Sequence, residues 1–283
     1  MTRRTLAREI HADGVALHAG MPVRMTLTPA PPNTGIVFCR SDLGGRRIPA
    51  RYDHVGETRL GTVIRSDAAG VGVIEHLMAA LCGAEIDDLL ITVDGPELPI
   101  LDGDALCYLR LLQQAGISDS QAPRQAIQVL KPVEVAQGEA RAGLFPAGDR
   151  CFNFEIAFSA PAIGRQSFSW AFSPQGFERE IAPARTFGFV QELEALNRAG
   201  LGRGASLENT LAIDGGSVIN AALMRFPDEF VRHKILDAVG DLALAGAPVL
   251  GRFEGRRSGH ALNNQLLRAL FADPANYARI TME

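Results

Sequence analysis

His233, Asp237 and Asp241 fall at intervals of four within FVRHKILDAVGD, residues 230–241. Phe230, Val231, Ile235, Leu236 and Val239 recur there at helical spacing, so the segment reads as an amphipathic helix. Residues four apart stack on one helix face, which puts an imidazole and two carboxylates in one column. Zinc accepts both ligand types, and a catalytic zinc takes three protein groups with a position left open. His233 and Asp237 would supply two of the three. Read alone, a helical His–Asp pair at this spacing is more often a surface hydrogen bond or ion pair.

A second segment bears on that choice. GVIEHLMAALCG, residues 72–83, reads as a short helix with Ile74, Leu77, Met78 and Leu81 as its buried stripe and Gly83 as its C-cap. Glu75 and His76 adjoin in its early part. Gly83 follows His76 by seven residues, as Gly240 follows His233. DGDAL (102–106) matches SGHAL (258–262), and each opens a final helix. The distance from His76 to Gly103 is 27 residues (103 − 76), and from His233 to Gly259 it is 26 (259 − 233). A period near half the chain predicts a duplicated α+β unit. The two His-bearing helices would be symmetry mates, and packing them together brings His76 to His233 and Asp237.

In that arrangement the other polar groups acquire roles. Glu75 is a general base for a water whose pKa a zinc ion lowers to about 7. His260 is a general acid to a leaving group, with Asp241 as the carboxylate that raises its pKa. Thr186, in ARTFGF, is a hydroxyl donor to an oxyanion. Lys234 is a contact for a substrate oxygen or phosphate. Each has a plainer reading: a first-turn carboxylate favoured by the helix dipole, a helix-opening residue, a turn former. Together they describe metal-assisted hydrolysis.

The surrounding chain alternates strands and turns. VRMTLTP (23–29) alternates apolar and polar residues, PPNTG (31–35) is a turn, and GIVFCR (35–40) is a second strand. His18, in GVALHAG, reads as a turn histidine bonded to backbone. Segment 42–65 reads as an excursion from the sheet. LLITV (89–93) is an apolar strand, 105–115 a helix, and the polar stretch 116–125 a linker. A second unit starts at Ala126. It has strands in IQVLKPVEV and FNFEIAF, at 168–172, near Leu211 and at 248–253, and helices over 189–199 and 261–271.

The chain has 283 residues, 47% hydrophobic and 21% charged, which fits one large globular domain or two ordinary ones. A net charge of −4 gives no sign of a nucleic-acid binder. No run of about 18 apolar residues predicts a membrane span. MTRRTLAREIHADG lacks the apolar stretch of a secretory signal. Cys39, Cys82, Cys107 and Cys151 form no C-x-x-C pair, which suits a reducing cytoplasm and argues against a cysteine zinc site.

Several of these stretches together resemble one known family. GVALHAG, PAPPNTGIVF, IEHL, ELPILDG, ARTFGF, DEFVRHKILDAVGDL and SGHALNNQLL span essentially the whole chain. They are similar to motifs of the zinc-dependent UDP-3-O-acyl-N-acetylglucosamine deacetylases of Gram-negative lipid A synthesis. The resemblance implies that His76, His233 and Asp237 are the zinc ligands and Glu75 the catalytic base. It implies that His260 is the second acid/base group with Asp241 as its partner. Thr186 would stand beside the oxyanion, and Phe187 and Lys234 would contact substrate.

The implied fold is α+β: two related domains, 1–120 and 126–283, with helices sandwiched between two sheets and one insert each, at about 42–65 and 188–219. The second insert would form an apolar passage for the acyl chain. Phe189, Val190, Leu193, Leu196 and Leu201 suit that use, although a helix's ordinary buried stripe reads the same way. A cytoplasmic monomer is expected, holding one zinc in a ligand set that also accepts iron. Its partner is a UDP-linked acylated glucosamine.

The chain departs from the family at Asp102-Gly103-Asp104, where DGS is usual, and at NAALMR (220–225), where NEDGLR is usual. A lysine often used near the diphosphate is missing around Ala140, with Arg141 beside it. Two rival readings are a catalytically silent sensor of acylated nucleotide sugar and a zinc amidase acting on another acylated sugar. A binder has no need of Glu75 as a base, and the second rival requires turnover without UDP.

Overall fold

The structure, a computed structural model, describes residues 1–282. Its first sheet has five strands, in the order Ile10–Val15, Pro22–Pro29, Leu89–Val93, Ile36–Arg40 and Arg46–Pro49. Val23, Met25 and Leu27 on one strand and Leu89, Ile91 and Val93 on its neighbour are all buried. The two-residue period of each strand therefore turns one face to the core and fixes the register. The second sheet has seven strands, with Val249–Arg256 at its centre. That strand pairs with Ala140–Phe145, Arg150–Ala157 and Gln125–Val129. On its inner face the ring of Phe253 lies 5.9 Å from Phe152 and 6.0 Å from Phe154.

The helices are α1 (Glu75–Gly83), α2 (Leu106–Ala115), a single turn α3 (Pro174–Gly176), α4 (Val190–Arg198), α5 (Glu229–Ala243) and α6 (His260–Ala272). Nearly every residue of α1 and α5 is buried. A helix buried all round belongs in the interior. One continuous apolar core joins the inner faces of both sheets to α1, α2, α5 and α6. The fold is thus α+β with helices between two sheets, as expected. No helix among the described residues is long and apolar enough to cross a membrane.

Four local expectations change. Helix α1 starts at Glu75 rather than at residue 72, because Val73 has φ +55° and Gly72 bridges to Glu97. Gly83 is not a left-handed cap, since the helix runs through it into Ala84 at φ −80°. It is needed instead for packing: a Cβ there would sit 2.1 Å from the Phe177 ring. The stretch read as a linker is a strand, Ile117–Pro123, paired antiparallel with Thr2–Leu6. Its side chains are mostly exposed, so it carries no apolar alternation to detect. Finally, segment 42–65 does not leave the sheet at once, because Arg46–Pro49 is its edge strand beside Ile36–Arg40.

Where α5 crosses α1, Gly240 lies on the main chain of Glu75. A Cβ at 240 would stand 2.1 Å from the Glu75 carbonyl oxygen, so the helices approach this closely only with glycine there. Gly240→Ala is expected to destabilise the metal-free protein by about 1–3 kcal/mol through overpacking. Urea unfolding measures this, and an unchanged midpoint would mean the crossing is looser than described.

Candidate active site

The crossing of α1 and α5 brings His76 together with His233 and Asp237. One ligand atom from each lies within 4.8 Å of the others. Asp237 Oδ1 is 3.4 Å from His233 Nε2 and 3.8 Å from His76 Nε2. His233 Nδ1 lies 3.1 Å from the Ala184 carbonyl, so it carries the proton and leaves the Nε2 lone pair free. Asp237 Oδ2 accepts from the Lys234 ammonium, while buried Oδ1 has no hydrogen-bond partner. An unbonded carboxylate oxygen buried between two imidazole nitrogens is costly by itself. A cation with bonds of about 2.0–2.2 Å satisfies it, so these residues fit a metal ion.

The other expected residues stand around this trio. His260, the first residue of α6, points Nε2 inward, 3.8 Å from Glu75 Oε1 and 4.0 Å from Asp237 Oδ2. Its Nδ1 lies 2.9 and 3.2 Å from the two Asp241 oxygens. Thr186 and Phe187 arrive on a loop pinned to the start of α5, where Arg185 donates to Glu229 at 3.1 Å, both residues buried. Phe187 packs edge-on against Phe230, with centroids 5.0 Å apart, and against Phe158 at 5.7 Å. Of the expected site residues, all except Asp241 line a cleft of about 460 Å³, together with Phe158, Phe189 and Leu196. Val190 and Leu193 do not line it and are 38% and 42% exposed. His18 sits at its rim with Nε2 2.9 Å from the Leu60 carbonyl, a turn histidine on backbone as expected.

Comparison with known sequences bears on what this arrangement does. The profile of the UDP-3-O-acyl N-acetylglycosamine deacetylase family matches residues 3–272. The chain belongs to this family. A Myxococcus xanthus protein is 46% identical over 97% of this chain and 88% of its own length. One from Phenylobacterium zucineum is 51% identical over 92% and 90%, respectively. An Anaeromyxobacter protein is 47% identical over 96% and 89%. Each is named UDP-3-O-acyl-N-acetylglucosamine deacetylase.

The electrostatics of this family member separate its groups by task. Burial, reinforced by the neighbouring His233, holds His76 down at about 3. Burial also lowers His233, so both imidazoles stay neutral and able to ligate. Burial works to raise Asp237, but the Lys234 ammonium and the charged His260 outweigh it and keep the carboxylate ionised. Glu75 moves the other way: burial pushes it up to about 7. Burial disfavours a charged His260, yet Asp241 and Glu75 raise it to about 9. A base poised near neutrality thus faces a protonated acid, the pairing that acid–base catalysis uses.

Some residues here were not singled out in the sequence. Thr62 is buried and bonded to both Glu75 and Asp241. Asn263 donates to Asp241 at 2.9 Å. Arg257 lines the cleft near Ala140, where the family lysine is absent. Leu60, Val73 and Arg257 all line the cleft with positive φ, between +52° and +62°. Strained backbone of this kind clusters at functional sites. Two of the departures meet each other: buried Asp104 pairs with Arg225, the last residue of NAALMR. The carboxylate that replaces the usual serine of DGS is thereby paired with an arginine that the usual NEDGLR segment also ends on.

Proposed function

We propose that this protein hydrolyses the N-acetyl group of UDP-3-O-acyl-N-acetylglucosamine, giving acetate and the free amine, the committed step of lipid A biosynthesis. The observation that carries the reading is the convergence of His76, His233 and Asp237 beside a near-neutral Glu75 and a protonated His260, in a chain of this family. His76, His233 and Asp237 hold a metal ion, and zinc suits two imidazoles and one carboxylate. Bound there, it supplies Lewis acidity at the acetamide carbonyl and lowers the pKa of water.

Glu75 accepts the proton from the attacking water as its oxygen bonds to the acetamide carbon. The Thr186 hydroxyl donates to the developing oxyanion. His260, held by Asp241, gives its Nε2 proton to the nitrogen as the C–N bond breaks. Phe187 and the apolar wall at Phe189 and Leu196 receive the acyl chain. Lys234 and Arg257 are the ammonium and guanidinium that the cleft offers to sugar and diphosphate oxygens. The four free cysteines support a cytoplasmic setting. Acetate release from the UDP-linked substrate tests the reading. Equal turnover of an acylated N-acetylglucosamine lacking UDP would favour a broader amidase instead.

The acid–base assignment has a definite pH signature. Glu75 must be ionised to accept a proton, so kcat/KM rises with pH through its pKa, about 7 in the metal-free site. His260 must be protonated to donate, so the rate falls as pH rises through about 9. A nearby dication favours the less positive form of each group and moves both limbs lower. The expected profile is a bell whose limbs lie at or below these values, belonging to the coupled pair rather than to either residue. A profile that keeps rising past pH 10 would remove His260 as the acid.

A further inference from the structure

The base and the acid partner belong to different helices, and a third element touches both. Thr62 is 2% exposed and precedes the short strand Ile64–Ser66, outside α1, α5 and α6. Its backbone N–H donates to Glu75 Oε2 at 2.9 Å. Its hydroxyl donates to Asp241 Oδ1 at 2.6 Å. Asp241 Oδ2 is already held by Asn263 and by His260 Nδ1, each at 2.9 Å. Without the hydroxyl, Oδ1 keeps only the 3.2 Å contact to His260. A short oxygen–oxygen bond to a carboxylate is among the stronger orienting contacts a neutral side chain makes.

The segment around Thr62 is built to approach this closely. Gly61 has φ +152°, and a Cβ there would stand 3.1 Å from Glu75 Oε1. Leu60 has φ +62°, and its carbonyl meets the His18 ring. Val63, the residue after Thr62, bonds through its N–H to the Glu57 carbonyl, and its own carbonyl accepts from Gly56, both at 2.9 Å. The backbone is thus fixed on either side of Thr62, which hydrogen-bonds both carboxylates.

We propose that Thr62 is a positioning residue that ties Glu75 to the Asp241–His260 pair, so that base and acid keep one mutual geometry through the reaction. The backbone N–H sets the Glu75 oxygen that remains free to take a proton. The hydroxyl fixes the Asp241 plane, and through it the direction of His260 Nε2. The hydrogen bonds of Thr62 go to Glu75 and Asp241 rather than to the expected metal ligands, and it does not line the cleft, so its loss acts on turnover rather than on binding. This assignment rests on the deacetylase reading of the same site.

The test compares Thr62→Val, which keeps the shape and removes the hydroxyl, with Thr62→Ser, which keeps the hydroxyl. Thr62→Val should lower kcat about 10–100-fold, the usual effect of losing an orienting partner, with KM and metal content within about twofold. Thr62→Ser should stay within about threefold of the parent. On a His260→Ala background the valine change should cost little more, because two residues acting in one unit are not additive. Equal losses on both backgrounds, or a change confined to KM, would overturn the proposal.

A readout that needs no turnover separates this from failure of the deacetylase reading. In metal-free, ¹⁵N-histidine-labelled protein, the His260 Nδ1–H resonance should shift or exchange away in Thr62→Val and persist in Thr62→Ser. A parent protein silent toward the substrate, with that resonance still responding, would sink the deacetylase reading and leave the positioning role standing. An unchanged resonance in Thr62→Val would overturn the positioning role. If Thr62→Val does not fold, Thr62→Ala is the second variant, and loss of the fold in both would make Thr62 merely structural and overturn the proposal.

Discussion

Replacing Glu75 with alanine is expected to lower kcat by about 10²–10⁴-fold, the range that a positioned general base contributes. Metal content should be unchanged, because Glu75 lies outside the trio whose ligand atoms converge. KM should change little, since the acyl wall and the cleft cations are untouched. The stability of the metal-free protein offers a second signature. Burial raises the Glu75 pKa from 4.5 to about 7, so the folded state binds its proton more tightly than the unfolded chain does. The contribution of a raised carboxyl is fully present below the unfolded pKa and is lost as pH rises through the folded one. Above pH 7 the ionised side chain therefore weighs against folding, and Glu75→Gln should be at least as stable as the parent there while remaining inactive. An active residue held at a cost to stability is a common trade in enzymes. Turnover within about tenfold of the parent in Glu75→Ala would remove it as the base.

His233→Ala should cost more metal affinity than the roughly 10–100-fold that loss of an outer-shell partner costs, because it deletes a ligand itself. Its Nε2 is the nitrogen nearest the unpartnered Asp237 oxygen, at 3.4 Å. With it gone, His76 and Asp237 are left to hold the ion across the α1–α5 crossing. Chelator-stripped variant protein should then fail to retain one ion per chain on dialysis, and its activity should fall by at least as much as in Glu75→Ala. Full occupancy with near-normal turnover would place the metal elsewhere. Among the described residues the other cluster of suitable type is Asp102, Asp104 and Cys107, where the Arg225 guanidinium already pairs with Asp104.

The parts of the site that were legible lie on helices with regular spacing. His233, Asp237 and Asp241 share one face because α-helical geometry admits no other arrangement of residues four apart. The facing position of His76 followed from the repeated His-to-Gly interval, and the structure shows what the second glycine is for: Gly240 admits the Glu75 backbone. Gly83, read as a helix cap from its place at the end of the pattern, is required instead by the aromatic ring of Phe177. Thr62 was not legible, because it is 179 positions from Asp241 and sits in a segment without periodicity. Glu229 and Arg185 were equally hidden, each an ordinary charged residue until the ARTFGF loop folds onto α5. The exposed strand Ile117–Pro123 lacked any burial signal at all. Regular elements declare their faces in sequence, whereas contacts between loops and helices depend on the completed packing.

The most direct test is acetate release from UDP-3-O-acyl-N-acetylglucosamine by chelator-stripped protein as zinc is added back. The account predicts activity that appears as zinc approaches one ion per chain, and that His233→Ala does not regain at that ratio. No release at any zinc level from folded protein would contradict it and leave a silent binder of acylated nucleotide sugar as the surviving reading.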